Sequence, residues 1–196
     1  KEIGWFSIRG GAIKLYEMAK QRKANILAQN FIATAPNQVW VSDVTYFSFK
    51  DDKYYICVIL DLFARKVISY SISNSNSTRL TKSTLKKAYY ERMPQEGLIF
   101  HSDRGANYTS RSFVDYCKTL GITLSLSRTG TPYDNSVMEN FFGILKQEMY
   151  YGTVYYSYEE LKESIEKYII YYNEKRIKQK LGWMSPVEYR LNLLAA

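Results

Sequence analysis

The stretch PNQVWVSDVTYFSFKDDKYYICVILDLFARKVISYSIS, Pro36 to Ser73, decides the fold. From Val39 the period is two, so Val39, Val41, Asp43, Thr45 and Phe47 fall on one face of a strand. Asp51-Asp52-Lys53 reads as a tight turn. Tyr54 to Leu60 is a nearly continuous apolar run, the pattern of a strand buried on both faces. Lys66 to Ser73 alternates again and predicts a third strand. Connections this short favour an antiparallel meander.

Downstream the texture turns helical. Ser77 or Thr78 can cap a helix running to about Met93, which Pro94 and Gly97 end. Leu98 to His101 predicts a fourth strand. Ser110 caps a second helix through Leu120, and Ile122 to Ser127 a fifth strand. RTGTPYDN, Arg128 to Asn135, is a loop, and Asn135 or Ser136 opens a helix through about Tyr150, with Asn135 as its expected cap. Further helices are expected from Ser157 to about Tyr172 and after Ser185-Pro186, with proline at the first helical position. Upstream, residues 1–35 are basic and weakly patterned, with a helix expected from Ala12 to Leu27 and a break at Pro36-Asn37. The order β-β-β-α-β-α-β-α predicts an α/β fold. Its five-stranded mixed sheet has three antiparallel strands, then alternating helices and strands, with helices on both faces.

Composition narrows the function. Twenty-seven basic against 19 acidic residues give a net charge of +8, which suits a polyanionic partner as well as it suits a merely soluble basic protein. No apolar run approaches the roughly 20 residues of a membrane span. Lys1 in place of an initiator Met suits an excised domain or a partial product. With two isolated cysteines, Cys57 and Cys117, and a single histidine, His101, a structural zinc site is excluded. Buried free thiols are expected instead. In the Tyr89-Tyr90 and Tyr171-Tyr172 pairs, one ring should face inward and one outward on a helix.

Three carboxylates carry chemistry. Asp43 stands mid-strand, where a carboxylate is costly unless paired, metal-bound or turned to water at an edge; Val41 and Thr45 on the same face weigh against the edge. Asp103 follows the fourth strand, where ligands gather in open α/β sheets, although Asp-Arg-Gly is also a good turn. Glu139 lies one turn into the helix after the RTGTPYDN loop; alone it would read as a solvated face. Together, two acids on strands and one on a helix can converge on hard cations, Mg²⁺ or Mn²⁺. Two such ions activate a water or a 3′-hydroxyl and stabilise the leaving oxygen of a phosphodiester.

Thirty-five residues separate Asp103 from Glu139, and this spacing resembles the D,D-35-E signature of retroviral integrases and bacterial insertion-sequence transposases. The words PNQVWVSDVTYF, DLFARKVISYSIS, HSDRGANYTS, SLSRTGTPYDNSVMENFFGILKQE and YYNEKRIKQKLGWMSPVEYR resemble, in order, the integrase-type catalytic domain of the IS3/IS150-like transposases. The resemblance covers about residues 30–190. It implies a ribonuclease H-like fold, cleavage of element ends with two Mg²⁺ or Mn²⁺ ions, and joining of the freed 3′-hydroxyl to another DNA site. Asp43 and Asp103 would share one ion, Asp43 and Glu139 the other. It implies DNA as partner, a homo-oligomer on that DNA, no membrane, and a bacterial cytoplasmic, nucleoid-associated location. Residues 1–35 then read as an N-terminal connecting segment, 36–155 as the integrase-type core and 156–196 as its C-terminal helical extension. Asn107 stands where members commonly carry Gln, and Gln179 or a neighbour where many carry His.

Around the carboxylates, Lys146 lies two helical turns beyond Glu139 and is a candidate phosphate contact. Arg104, Asn107 and Arg128 on nearby loops, His101 beside Asp103, and Arg176 in YYNEKR are further candidate DNA contacts. For His101 a hydrogen-bonded structural role is the competing reading. The competing functions are a ribonuclease H-like nuclease that only hydrolyses, and a DNA-binding relic without catalysis.

Overall fold

The computed structural model describes residues 24–195. Strands β1 (Val39–Phe49), β2 (Asp52–Asp61) and β3 (Lys66–Ser73) form the expected antiparallel meander, and β4 (Ile99–Ser102) and β5 (Thr123–Leu126) add to it in parallel. The sheet order is β3-β2-β1-β4-β5. Helices α1 (Thr78–Arg92), α2 (Ala106–Thr109), α3 (Arg111–Thr119), α4 (Ser136–Met149), α5 (Tyr158–Glu174) and α6 (Pro186–Ala195) fill the connections. The one-turn α2 carries too few residues to show a helical period, and the sequence reading passed over it.

Strand alternation sorts the core into two layers. Val39, Val41 and Phe47 of β1, with Ile56, Val58 and Leu60 of β2, face α4 and α5, burying Phe141, Leu145, Ile165 and Tyr172. Trp40, Ile59, Phe100 and Leu126 face the other way, against Leu85 of α1, Tyr108 of α2 and Phe113 of α3. The middle of β2 is buried on both sides, as its apolar run requires. Cys57 and Cys117 are buried free thiols. Tyr90 and Tyr171 are exposed while Tyr172 is 1% exposed, so the tyrosine pairs divide between core and solvent.

Local capping chemistry fixes the helix starts. Ser110 Oγ accepts from Phe113 N at 3.2 Å and Ser157 Oγ from Glu160 N at 3.1 Å. Ser185 and Glu188 exchange bonds, Glu188 N to Ser185 Oγ and Ser185 N to Glu188 Oε2, a capping box at the start of α6. Asn135 departs from expectation: its side chain makes no cap bond and its amide donates across to Ser42 O of β1 at 3.4 Å. Packing α4 against β1 offers the amide a buried carbonyl that the helix end does not.

Most of the helix expected from Ala12 to Leu27 lies outside the described residues. Its described end, Ala24 to Leu27, is not helical. It runs along β5, with Leu126 N donating to Ala24 O and the N–H groups of Ile26 and Leu27 donating to Ser125 Oγ. An otherwise open strand edge is thereby covered. At the opposite edge, Asn173 of α5 both accepts from Val67 N and donates to Val67 O, each at 2.9 Å. No described helix is long and apolar enough to cross a membrane.

Candidate active site

β1 and β4 lie side by side in parallel, with Val41 opposite His101 and Ser42 opposite Ser102. The next residue on each chain is a carboxylate, Asp43 and Asp103. Alternation turns Asp43 to the same side as Val41, the face that α4 covers. His101 also meets that side, through the carbonyl of Asp134 just before α4. Glu139 is in the first turn of α4, and the Asn135 bond to Ser42 O pins that turn beside Asp43. Sheet register and one helix start thus bring all three predicted acids to one end of the sheet.

Their proximity shows in the electrostatics. Asp43 is pushed up to about 7, first by burial and then by the charge of Asp103. The Val44 N–H pulls it back, and Glu139 raises it further. Among the described residues no three Asp, Glu, His or Cys side chains stand close enough, as placed, to grip one metal ion. Asp43 Oδ1 accepts from Val44 N at 2.7 Å and Asp103 Oδ1 from Gly105 N at 3.0 Å. The donor set nevertheless fits a hard divalent cation: every side-chain donor is a carboxylate oxygen, and the crowded charge on Asp43 is of the kind such an ion relieves.

Beneath this site sits a clamp that the sequence reading missed. Asp134 has a fully buried side chain that accepts five hydrogen bonds. Arg128 supplies three, from its backbone N and from Nε and Nη2, at 2.8, 3.0 and 3.0 Å. Asn25 Nδ2 and Gln29 Nε2 supply the others at 2.8 and 2.7 Å. These bonds hold the carboxyl well below the usual carboxylate range, the Arg128 guanidinium contributing most. The Asp134 carbonyl in turn meets His101 Nε2 at 2.9 Å. A carbonyl only accepts, so Nε2 carries the proton, and Nδ1 accepts from Ser125 Oγ at 2.8 Å. Burial lowers the His101 pKa and favours this neutral form.

These contacts bear on several expected DNA contacts. His101 is 0% exposed with both ring nitrogens engaged, so it has no surface to offer DNA; the structural role stands. Arg128 spends its fork on Asp134, although its side chain remains 58% exposed. Arg176 is bound to Glu148 through Nε and Nη2, with Tyr168 Oη also donating to Glu148. Nine residues along α4, Glu148 is about 13 Å from Glu139 by helical rise, so Arg176 ties α5 to α4 away from the acids. Three candidates remain. Lys146 lies 5.3 Å over the Tyr46 ring and 5.8 Å over Phe47, its ammonium pKa lowered by burial. Arg104 Nε donates to Ser127 O, and Asn107 Nδ2 to Asn76 Oδ1. The only local signal for the clamp was the Arg-to-Asp bracket in RTGTPYD, seven residues with no periodicity.

The integrase core domain model matches residues 33–132, and a second integrase core domain model matches residues 139–194. The chain is 41% identical over 170 residues to InsK of insertion sequence element IS150 in Escherichia coli, covering 87% of this chain and 60% of that protein. It is 37% identical over 172 residues to the transposase for insertion sequence element IS904 of Lactococcus lactis, covering 87% and 68%. A transposase-like protein of Haemophilus influenzae is 39% identical over 170 residues, covering 87% and 78%. The chain therefore spans only part of the length of these relatives. Among solved structures, the HTLV-2 integrase catalytic core domain in complex with magnesium superposes with a TM-score of 0.64 at 22% identity, covering 80% of this chain and 98% of that one. A chain of the simian T-cell lymphotropic virus intasome gives 0.69 at 20% identity, covering 81% and 55%. At these identities the likeness establishes the fold, ribonuclease H-like.

Proposed function

Because this chain belongs to the integrase core domain family, with insertion-sequence transposases as its relatives, we propose that it is a DNA transposase core that cuts element ends and joins the freed 3′-hydroxyl to target DNA. The observation that carries this reading is the register of β1 on β4, which puts Asp43 beside Asp103 under the first turn of α4. Asp43 and Asp103 would hold one divalent ion, and Asp43 and Glu139 the second; such ions would lower the pKa of the attacking hydroxyl and neutralise charge on the phosphodiester. The chain's own part is to present three ionised carboxylates and to align DNA. Asp43 must give up its proton to serve. Lys146, Arg104 and Asn107 contact phosphates, and the protein works as a homo-oligomer on DNA in the bacterial cytoplasm. A strand-transfer assay on a labelled 3′-hydroxyl end, with Mg²⁺ or Mn²⁺, tests the reading. Nicking without any joined product would leave a hydrolytic nuclease instead.

The metal makes its own prediction. Mg²⁺ and Mn²⁺ should support joining, and Ca²⁺ should bind without supporting it, because its looser coordination misplaces the reacting oxygens. Mg²⁺ should also raise the melting temperature of the native chain but not of Asp103→Asn. Full activity in excess chelator would defeat the two-ion mechanism.

Gly105 tests how tightly Asp103 is placed. A Cβ on Gly105 would stand 3.0 Å from Asp103 Oδ1, so the carboxylate must yield. Gly105→Ala should lower strand transfer by about tenfold, since small misplacements at a reacting centre are amplified in rate, with little change in melting temperature. Native activity in this variant would mean that the Asp103 position tolerates that shift.

A further inference from the structure

On the face of the sheet opposite α4, helices α1 and α3 enclose a groove of about 520 Å³. Arg79, Lys82 and Lys86 of α1 line it, with Tyr90 farther along and Tyr116 and Ser112 on the α3 side. The three cations sit at spacings of three and four residues, one face of a helix. None of them is ion-paired among the described residues. The lysines of α5 behave differently: Lys162 pairs with Glu166 and Lys167 with Glu163. Lys82 is held in the groove, its Nζ 3.0 Å from Ser112 Oγ and 5.1 Å over the Tyr116 ring. The buried Tyr116 hydroxyl has no hydrogen-bond partner among the described residues, and Tyr90 is 62% exposed.

One end of the groove abuts the candidate active site. Thr78 Oγ1 donates to Ser110 Oγ at 3.2 Å, joining the first residue of α1 to the cap of α3. Asn107, four residues after Asp103, bonds Asn76 just before α1. Neither α1 nor α3 has an acidic residue in its first turn, so neither helix carries an acid of its own against its positive end there. From Arg79 to Lys86 the cationic face extends roughly 10 Å at 1.5 Å per residue, comparable with about three phosphates of one DNA strand at 3.4 Å each.

We propose that the α1–α3 groove is a track for the sugar-phosphate backbone of duplex DNA, leading away from the carboxylates along α1. This rests on the transposase reading above. The track meets phosphates rather than base edges, so it binds without sequence preference.

The test measures binding of a fluorescent duplex of arbitrary sequence to the full chain across a salt titration. Replacing Arg79, Lys82 and Lys86 together by Ala should make the plot of log K against log[salt] shallower by about 2–3, since each phosphate neutralised contributes about 0.9 to the slope. Strand transfer into target DNA should fall with it. Lys162→Ala with Lys167→Ala, on α5, should leave the slope as it is. If the triple variant melts early, Arg79→Gln, Lys82→Gln and Lys86→Gln together keep the stems and repeat the measurement. A native chain that binds and joins DNA, beside a folded triple variant with an undiminished slope, overturns the track and spares the transposase reading. A native chain that binds no DNA overturns both.

Discussion

Asp43→Asn is expected to abolish cleavage and joining, a loss of at least about a thousandfold, while the chain still folds. Asp103→Asn and Glu139→Gln should do the same, because a neutral amide cannot supply the anionic oxygen that a hard divalent ion takes. Stability should move the opposite way. The Asp43 carboxyl is pushed up to about 7 by burial and then by its acidic neighbours, so its ionised form strains the metal-free fold. The sign follows from linkage. A raised folded-state pKa gives stability that is fully present below the unfolded value of 3.8 and is lost as pH rises through about 7. Metal-free native protein should therefore melt progressively lower from about pH 4 to pH 7, and Asp43→Asn should flatten that decline. At pH 8 the variant should gain on the order of 1 kcal/mol, roughly 2–4 °C in a chain of this size. Melting curves with chelator across this range, beside a strand-transfer assay, check both halves. Native activity in any one of the three variants would remove that residue from the site.

The largest expected loss of stability lies at Asp134. Asp134→Ala removes the acceptor for five hydrogen bonds on a fully buried side chain. The N–H of Arg128 and the amides of Asn25 and Gln29 are left without a partner. A buried charge pair broken from one side costs about 3–5 kcal/mol; with Arg128 partly in water the lower end applies, a fall in melting temperature of roughly 6–12 °C. Activity should drop as well, since the loop that Asp134 ties down leads into the turn bearing Glu139. Asp134→Asn should rescue little, because its amide nitrogen would face the Arg128 guanidinium. The carboxyl is depressed below its ordinary value, so its contribution is present above the unfolded pKa and is lost as pH falls through the folded one. The native chain should therefore lose this stability in acid, and Asp134→Ala should have little of it to lose. A variant melting within a degree of the native chain would show that the loop is held by other means.

Much of this was legible along the chain. The period of two from Val39 to Phe47, the apolar run of β2 and the caps at Ser110, Ser157 and Ser185 each act over a few residues, and sequence displays such short-range rules directly. Parity along β1 already put Asp43 on one face with Val41. The family words around Asp103 and Glu139 added the expectation of a shared site.

Other features needed distant partners. Whether Arg128 faced DNA or a carboxylate depended on Asp134 being enclosed by Asn25 and Gln29, more than a hundred residues away in sequence. His101 had two readings until β5 and the Asp134 carbonyl closed around both nitrogens. Asn135 was expected to cap its own helix, but α4 packed against β1 and Ser42 O took the bond. Sequence by itself determined the five strands, the longer helices and their order, because backbone periodicity and capping are settled among near neighbours. Tertiary structure alone decided which polar groups are taken up by the fold and which stay exposed. A side chain's choice between water, ligand and protein is set by burial, and burial exists only once distant segments have met.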